Sequence, residues 1–429
     1  MQGLTILSPK RDRRVQKGWE AFFPYYAGYP EIFVDGILRS AGLNPGSVVL
    51  DPWNGSGTTT SIAARHGFRS IGYDLNPVMV VIARARLLPA SEADALEPIL
   101  QQILDGVRRD RKVSTDDPLA NWFHQETVAD LRSLERSIRK RLVGKLTLGP
   151  SGVNLGYLSS IAAAFYVALF AVSRSMLSSF QSTNPTWVRV AKTDQDKLLI
   201  KRRVIYDQFK KYMYGMIDEL SRSSNGNARD LAATEIAIAD SRQCKAGTGV
   251  VDLVLTSPPY CTRIDYTAAT RVELAILGPF CSVNGSDLSR DMVGSIRVPQ
   301  ADIEVDEKWG ETCCHFLRDV KDHPSKASSG YYLKTHLDYF NKMATSMRAI
   351  REALKEKGQA ILVVQDSFYK ELHNDLPTIL SEMGSSFDLK LRRREDFNVR
   401  RSMSGLNPSS RNYSRKSGAV ESVLCFEAV

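Results

Sequence analysis

The chain lacks any apolar run long enough to cross a bilayer. Its longest, Ile161 to Val172, falls well short of the roughly 20 residues a spanning helix needs. No apolar stretch follows the charges near the start, so no secretory signal is expected. Cysteine is sparse: six in 429 residues, at 244, 261, 281, 313, 314 and 425, with no Cys-x-x-Cys pair. That scatter argues for a reducing compartment, the cytoplasm, and against a zinc site. Cys313-Cys314-His315 is the one metal-like string. Adjacent residues rarely share an ion, so no metal is expected. Gly-x-Gly-x-x-Gly, the dinucleotide fingerprint, is also missing, which favours a phosphate-free adenosine ligand over a dinucleotide.

What is present is the composition of a soluble globular protein, 43% hydrophobic and 24% charged, with a net charge of +9. The length allows one enlarged domain or two to three ordinary ones. The positive charge is clustered. Lys10, Arg11, Arg13, Arg14 and Lys17 form one group, opposed only by Asp12. From Lys390 to Lys416 there are nine basic residues and two acidic ones, in surroundings rich in Ser, Asn and Gly. Such runs are either solvated surface or phosphate contacts.

Ser47 to Pro52 reads as a buried strand, Thr58 to His66 as the helix after it, Arg69 to Leu75 as a second strand, and Pro77 to Leu88 as a second helix opened by Asn76-Pro77. This alternation predicts a parallel, doubly wound α/β sheet. It stops near Pro89. Up to about Asn227 the pattern is helical, with Leu198, Ile205, Phe209, Tyr212, Met213, Met216, Ile217 and Leu220 at three- and four-residue spacing. That Met and aromatic stripe reads as core. Strands resume at Thr234 to Asp240 and Val250 to Thr256. An irregular stretch, about Pro279 to Gly330, precedes a helix from Leu333 to Lys357. Gln359 to Asp366, Phe387 to Arg392 and Ser422 to Phe426 complete seven strands, with a basic loop from Arg392-Arg393-Arg394 to Lys416 joining the last two. The organisation expected is 1–90 and 234–429 as two parts of one sheet domain, with 91–233 as a large helical insertion.

Ligands of doubly wound sheets bind beyond the carboxyl ends of the strands. Asp51-Pro52-Trp53-Asn54-Gly55-Ser56-Gly57-Thr58-Thr59 sits at such an end. Gly55 and Gly57 let a ligand approach the backbone and let the turn use positive φ. Asp74 ends the second strand, where an acidic group accepts from ribose hydroxyls or caps the following helix. Asp240 ends the third strand. Thr256-Ser257-Pro258-Pro259-Tyr260 follows a hydrophobic run. Here Ser257 Oγ and the Pro258 carbonyl are candidate acceptors for the hydrogens of an exocyclic amine. Such acceptors localise a lone pair that is otherwise spread into the ring. Pro258-Pro259 holds an extended shape, and Tyr260 offers a π-face to a base.

The two strings together resemble the amino-methylating DNA methyltransferases that use S-adenosylmethionine. The Ser-Pro-Pro-Tyr form is typical of members that methylate N4 of cytosine. Adenine N6 enzymes more often carry Asp or Asn at the position of Ser257. The resemblance implies a seven-stranded Rossmann-like methyltransferase sheet with an antiparallel last strand. It implies cofactor contacts from Asp51, Trp53, Asn54, Gly55, Gly57, Thr58 and Asp74, and an adenine contact from Asp240. The segment Phe22 to Pro30, with Tyr26, is similar to the element covering the methionine end of the cofactor. The catalytic set implied is Ser257, Pro258, Pro259 and Tyr260, acting on a base flipped out of double-stranded DNA. Covalent chemistry at cytosine C5 needs a cysteine usually preceded by proline, and here Tyr260 stands between Pro259 and Cys261.

Many Ser-Pro-Pro-Tyr enzymes have the catalytic motif first, so this chain looks circularly permuted. The resemblance covers roughly 19–90 and 234–429. The insertion occupies the place where some relatives put their DNA-reading part. Arg400, Arg401, Arg411 and Arg415 lie between the last two strands and are the expected phosphate contacts. Such enzymes usually belong to bacterial or phage restriction–modification or defence systems, which implies a cognate restriction endonuclease. The rival readings are an RNA amino-methyltransferase on the same fold and a non-catalytic DNA-binding subunit.

Overall fold

The structure, a computed structural model, describes residues 1, 3–10, 28–108, 114, 116–144, 148–149, 152–153, 155, 158–182, 187–223, 233–261, 266–278, 281, 285–295, 302–398 and 419–429. Seven strands form the main sheet: β1 Val48–Asp51, β2 Arg69–Asp74, β3 Thr234–Ile238, β4 Val251–Thr256, β5 Leu354–Gln365, β6 Leu389–Asn398 and β7 Val420–Ala428. Their order is β6-β7-β5-β4-β1-β2-β3. The pairs β1–β2, β1–β4, β2–β3 and β4–β5 are parallel. Only β7 runs antiparallel, between β5 and β6. This is the doubly wound methyltransferase sheet expected from the sequence. Strand order reverses at β1 and β4, which leaves a crevice beyond their carboxyl ends.

Burial explains the apolar strands. All four residues of β1 are buried. Val49 packs with Phe33 and Ile37 of helix Glu31–Ser40 on one face. Val48 and Leu50 join the core under helix Leu333–Ala353 on the other. Alternation of side chains across a strand produces this division.

The insertion contributes helices Ala93–Asp105, Gln125–Ile138, Ser160–Ser175 and Arg202–Ser223. They share one core with helix Pro77–Ala85, so the insertion is built onto the sheet domain's own packing. Phe209, Met213 and Met216 lie fully inside that core, as their spacing predicts. Two arginines tie the insertion to helix Arg271–Leu277. Arg132 bonds Asp117 and the carbonyls of Ala275 and Ile276 at 2.7–2.8 Å. Arg174 bonds both oxygens of Glu273, at 2.6 and 2.8 Å.

The structure corrects four expectations. The stretch read as irregular contains helix Glu311–Asp322, which buries Cys313, Phe316, Leu317 and Val320. The helix from Leu333 ends at Ala353, because Leu354 already pairs with Val251 and starts β5. Arg392, Arg393 and Arg394 belong to β6 rather than to a loop. They pair with Glu427, Glu395 and Asp396 at 2.5–2.8 Å. The helix read from Leu198 begins at Arg202, since Leu198 forms a bridge with Phe123.

Candidate active site

One cleft of about 1080 Å³, including its open mouth, lies beyond β1 and β4. It is lined by Asp51, Trp53, Asn54, Gly55, Thr58 and Asp74 from the loops after β1 and β2, and by Ser257, Pro258, Pro259 and Tyr260 after β4. Two strings about 200 residues apart in sequence thus face one space.

The loop after β1 is held from several sides. Asn54 donates its N–H to the Tyr73 carbonyl at 2.8 Å, and its Oδ1 accepts from Thr60 at 3.0 Å. A Cβ at Gly72 would stand 2.5 Å from the Asn54 side chain, so the glycine in β2 makes room for it. Gly57 caps the next helix at φ +79, and a Cβ there would come within 2.9 Å of Ala83 Cα. Both constraints demand glycine at Gly57. Arg86 donates to Thr58 Oγ1 at 3.0 Å and pairs with Glu31 at 2.5 Å.

Asp51 is buried at the end of β1. It accepts from Thr256 Oγ1 at 2.6 Å and from the Trp53 N–H at 3.1 Å. The Tyr29 hydroxyl also reaches it, at 3.4 Å. Burial pushes its carboxyl up to about 6 despite these hydrogen bonds. Asp74 accepts from the N–H groups of Gly55 at 3.0 Å and Asn76 at 2.8 Å. Burial, with the charge of Asp51 adding to it, raises Asp74 to about 7. The helix cap is Asn76, which accepts from Val78 N–H at 3.0 Å, so Asp74 does not serve as the cap. Each Asp74 oxygen carries one N–H and retains capacity for another donor. Among the described residues, the cleft's lining has two carboxyls and no Lys or Arg, a field suited to a cationic ligand rather than a phosphate.

Asp240 is placed differently from expected. Arg242 binds both of its carboxylate oxygens, and the neighbours Ala239 and Ser241 line the cleft instead. Tyr26, Arg400, Arg401, Arg411 and Arg415 lie outside the described residues. The ends of the connection that carries the four arginines are placed: Asn398 pairs with Val420, and Glu421 with Gln365, at the edge where Asp51 and Ser257 sit.

In the second string, the Ser257 hydroxyl donates to the Val363 carbonyl of β5 at 3.0 Å. Its hydrogen is thereby committed, and its lone pairs remain to accept. The Pro259 carbonyl accepts from the Tyr339 hydroxyl at 2.9 Å. Burial raises the carboxyl of Glu421, and side-chain hydrogen bonding from Tyr260 opposes that rise. Gly294, at φ +76, packs against the Tyr260 carbonyl, where a Cβ would come to 2.9 Å. Cys261 is buried beside His336 at 3.4 Å and does not line the cleft.

Sequence reasoning named the segment Phe22 to Pro30 but not the part Tyr29 plays in it, and it missed Lys342. Tyr29 bonds Thr59 Oγ1 at 2.5 Å and the Leu255 carbonyl at 3.2 Å, closing the seam between β1 and β4. Lys342, buried and paired with Asp338 at 2.8 Å, also donates to the carbonyls of Arg290 and Met292. It thereby holds the wall formed by Met292 and Val293. These bonds join distant parts of the chain, and no local pattern announces them.

Residues 5–85 match the model of a DNA methylase family, N6_N4_Mtase. The chain is also 23% identical over 378 residues to the Type II methyltransferase M.BsoBI of Geobacillus stearothermophilus, covering 81% of this chain and 68% of that one. Together these support an amino-methylating DNA methyltransferase. Solved structures show looser likeness. A geranyl diphosphate methyltransferase in complex with GPP and sinefungin has a TM-score of 0.32 at 8% identity, over 92% of this chain and 77% of that one. The rRNA methyltransferase aviRa from Streptomyces viridochromogenes has 0.29 at 12% identity, over 94% and 87%. Those two scores are too low to bear on function. Among the described residues no helix is long and apolar enough to cross a membrane. No group of three His, Cys, Asp or Glu among them is arranged to hold a metal.

Proposed function

We propose that this chain transfers a methyl group from S-adenosylmethionine to the N4 amine of cytosine in double-stranded DNA. The observation that carries the reading is the Ser257 hydroxyl, tied by its hydrogen to Val363 and facing the cleft that Asp74 also lines. S-adenosylmethionine, when bound, supplies an electrophilic methyl group on a sulfonium. The acidic lining and the spare acceptor capacity of Asp74 fit its positive charge and ribose hydroxyls. Gly55 keeps the loop backbone open to it, while Gly57 lets the loop pack against Ala83.

Ser257 Oγ and the Pro258 carbonyl accept the two amine hydrogens and draw the nitrogen toward tetrahedral geometry. Tyr260 stacks on the base once it has left the duplex. Positioning and electrostatics supply most of the rate, because no covalent intermediate is needed. Arg400, Arg401, Arg411 and Arg415 hold phosphates at the rim, and a cognate restriction endonuclease is the partner implied. The test is incubation with labelled cofactor and duplex DNA, digestion to nucleosides, and mass spectrometry. N4-methyl-2′-deoxycytidine is expected. N6-methyl-2′-deoxyadenosine in its place overturns the base assignment, and absence of label from DNA overturns the function.

A further inference from the structure

We infer that residues 189–211 of the helical insertion form a second, preformed surface that docks the phosphate backbone of duplex DNA. The inference rests on the reading of the cleft as a DNA methyltransferase site. Between Arg189 and Lys211 there are eight basic and three acidic residues. The acids are already engaged: Asp194 pairs with Lys197, Asp207 with Arg203, and Asp196 accepts from Thr193. Arg202 pairs with Asp130. Arg189, Lys192, Lys201, Lys210 and Lys211 have no acidic partner among the described residues, and all but the half-buried Lys210 are exposed.

The packing separates these charges from the core. Helix Arg202–Ser223 turns Ile205, Phe209, Met213 and Met216 inward. Arg203 and Lys211 fall on the side away from that face, and Lys210 on its flank. The helix carries Arg202 and Arg203 in its first turn and no acidic residue there. That arrangement opposes the helix dipole, so these cations do not serve helix stability. Exposed Val190, Leu199 and Val204 lie among them and offer apolar contact to sugar or base edges.

The surface is anchored to the cleft. Ala191 donates to the Asn121 carbonyl at 3.0 Å, and Trp122 Nε1 to the Arg189 carbonyl at 2.8 Å. Asp117, just before that segment, is held by Arg132, which also grips the end of helix Arg271–Leu277. Thr270, at the start of that helix, lines the cleft. The chain of contacts between surface and cleft wall therefore runs through Asn121 and Trp122, Asp117, Arg132 and helix Arg271–Leu277. On this proposal a duplex that presents a base to Tyr260 lays neighbouring phosphates on the basic surface.

The test compares wild type with a variant carrying Arg189→Gln, Lys192→Gln, Lys201→Gln and Lys211→Gln. A labelled 30-base-pair DNA duplex of random sequence is titrated across a salt series, beside a duplex RNA of the same length. Wild-type methyl incorporation into DNA is measured in parallel. The variant should bind DNA at least about tenfold more weakly, with a salt slope shallower by up to ~0.9 for each phosphate it no longer neutralises. S-adenosylhomocysteine affinity and the melting temperature should not change. If the fourfold variant fails to fold, Lys192→Gln with Lys211→Gln reads the same slope. A wild-type slope in a folded variant, with methyl incorporation intact, overturns this surface alone. A wild type that neither binds nor methylates DNA overturns the proposed function as well. Weakening confined to duplex RNA overturns the choice of DNA.

Discussion

The backbone N–H of Gly55 donates to the Asp74 carboxylate at 3.0 Å, which fastens the loop after β1 to the end of β2. One carboxyl thus shapes the loop and faces the cleft. Burial raises it to about 7, so its charge changes close to neutral pH. A ligand donating hydroxyls favours the charged form. Affinity for S-adenosylhomocysteine should therefore rise as pH increases through about 7, with release of a proton. Stability of the unliganded fold has the opposite sign. A carboxyl raised from 3.8 to about 7 contributes stability below the lower value, and this is lost as pH climbs through the higher one. Calorimetry on either side of that value, in buffers of different ionisation enthalpy, checks both the affinity and the proton count. Asp74→Asn should flatten the profile. Equal wild-type affinities on the two sides would sink the role given to Asp74.

Ser257→Ala removes an acceptor whose own hydrogen is spoken for by Val363. The hydrogen bond to the amine is worth on the order of 1.5–3 kcal/mol, or roughly ten- to hundredfold in kcat. Cofactor affinity should hold, because the proposed reading has Ser257 meet the base and not the cofactor. Single-turnover methylation measured beside calorimetric cofactor binding separates the two. Unchanged single-turnover rates mean that the hydroxyl does not meet the amine.

Much of this site is legible in the sequence because its chemistry sits in short strings. Asp51 to Thr59 and Ser257 to Tyr260 each follow a hydrophobic run at a strand end, where a doubly wound sheet binds its ligands, and their resemblance to family motifs points to the same cleft. Their supports are not legible. Thr256 with Asp51, Val363 with Ser257, and Tyr339 with Pro259 meet only after the sheet forms. Helix Glu311–Asp322 carries Cys313, Phe316, Leu317 and Val320 at helical spacing, so it is legible, and reading the segment as irregular overlooks it. The arginines of β6 mislead for a different reason. They lie on an edge strand, where charge guards against pairing with another chain, and their partners Glu427, Glu395 and Asp396 neutralise them in place.

Tyr339→Phe deletes one hydroxyl and leaves the ring in place. The Pro259 carbonyl loses its donor, and the Pro258-Pro259 segment loses a restraint worth about 0.5–1.5 kcal/mol. The expected result is a kcat lowered severalfold with KM for DNA little changed and the melting temperature shifted slightly. A purely structural role would move stability and leave kcat alone.

Gly57→Ala should be costly for two separate reasons. The left-handed backbone at φ +79 penalises any Cβ by about 1–2 kcal/mol, and crowding against Ala83 adds about 1–3 kcal/mol. Denaturant unfolding should show a loss within that combined range, together with weakened cofactor binding. Wild-type stability would mean that the loop and helix Pro77–Ala85 move apart more easily than their packing implies.

Arg174 and Glu273 form a pair that joins the insertion to the helix beginning beside Thr270. The carboxylate of Glu273 is wholly enclosed, and Arg174 also donates to the Ala269 carbonyl at 2.5 Å. Arg174→Met leaves a buried charge without its counterion, a change that typically destabilises by about 3–5 kcal/mol. Pairing it with Glu273→Leu removes the stranded charge and should recover most of that loss, since an apolar pair of similar volume suits such a site. The two outcomes differ for activity. If the pair only stabilises the fold, the double variant should regain wild-type kcat along with its stability. If it also sets the position of helix Arg271–Leu277 beside the cleft, stability should return while kcat stays low, because Met and Leu cannot reproduce the fork that grips Glu273 and Ala269 together. Unfolding curves and single-turnover rates on the same three proteins decide between them. Wild-type stability in Arg174→Met alone would show that the pair is not the clamp described here.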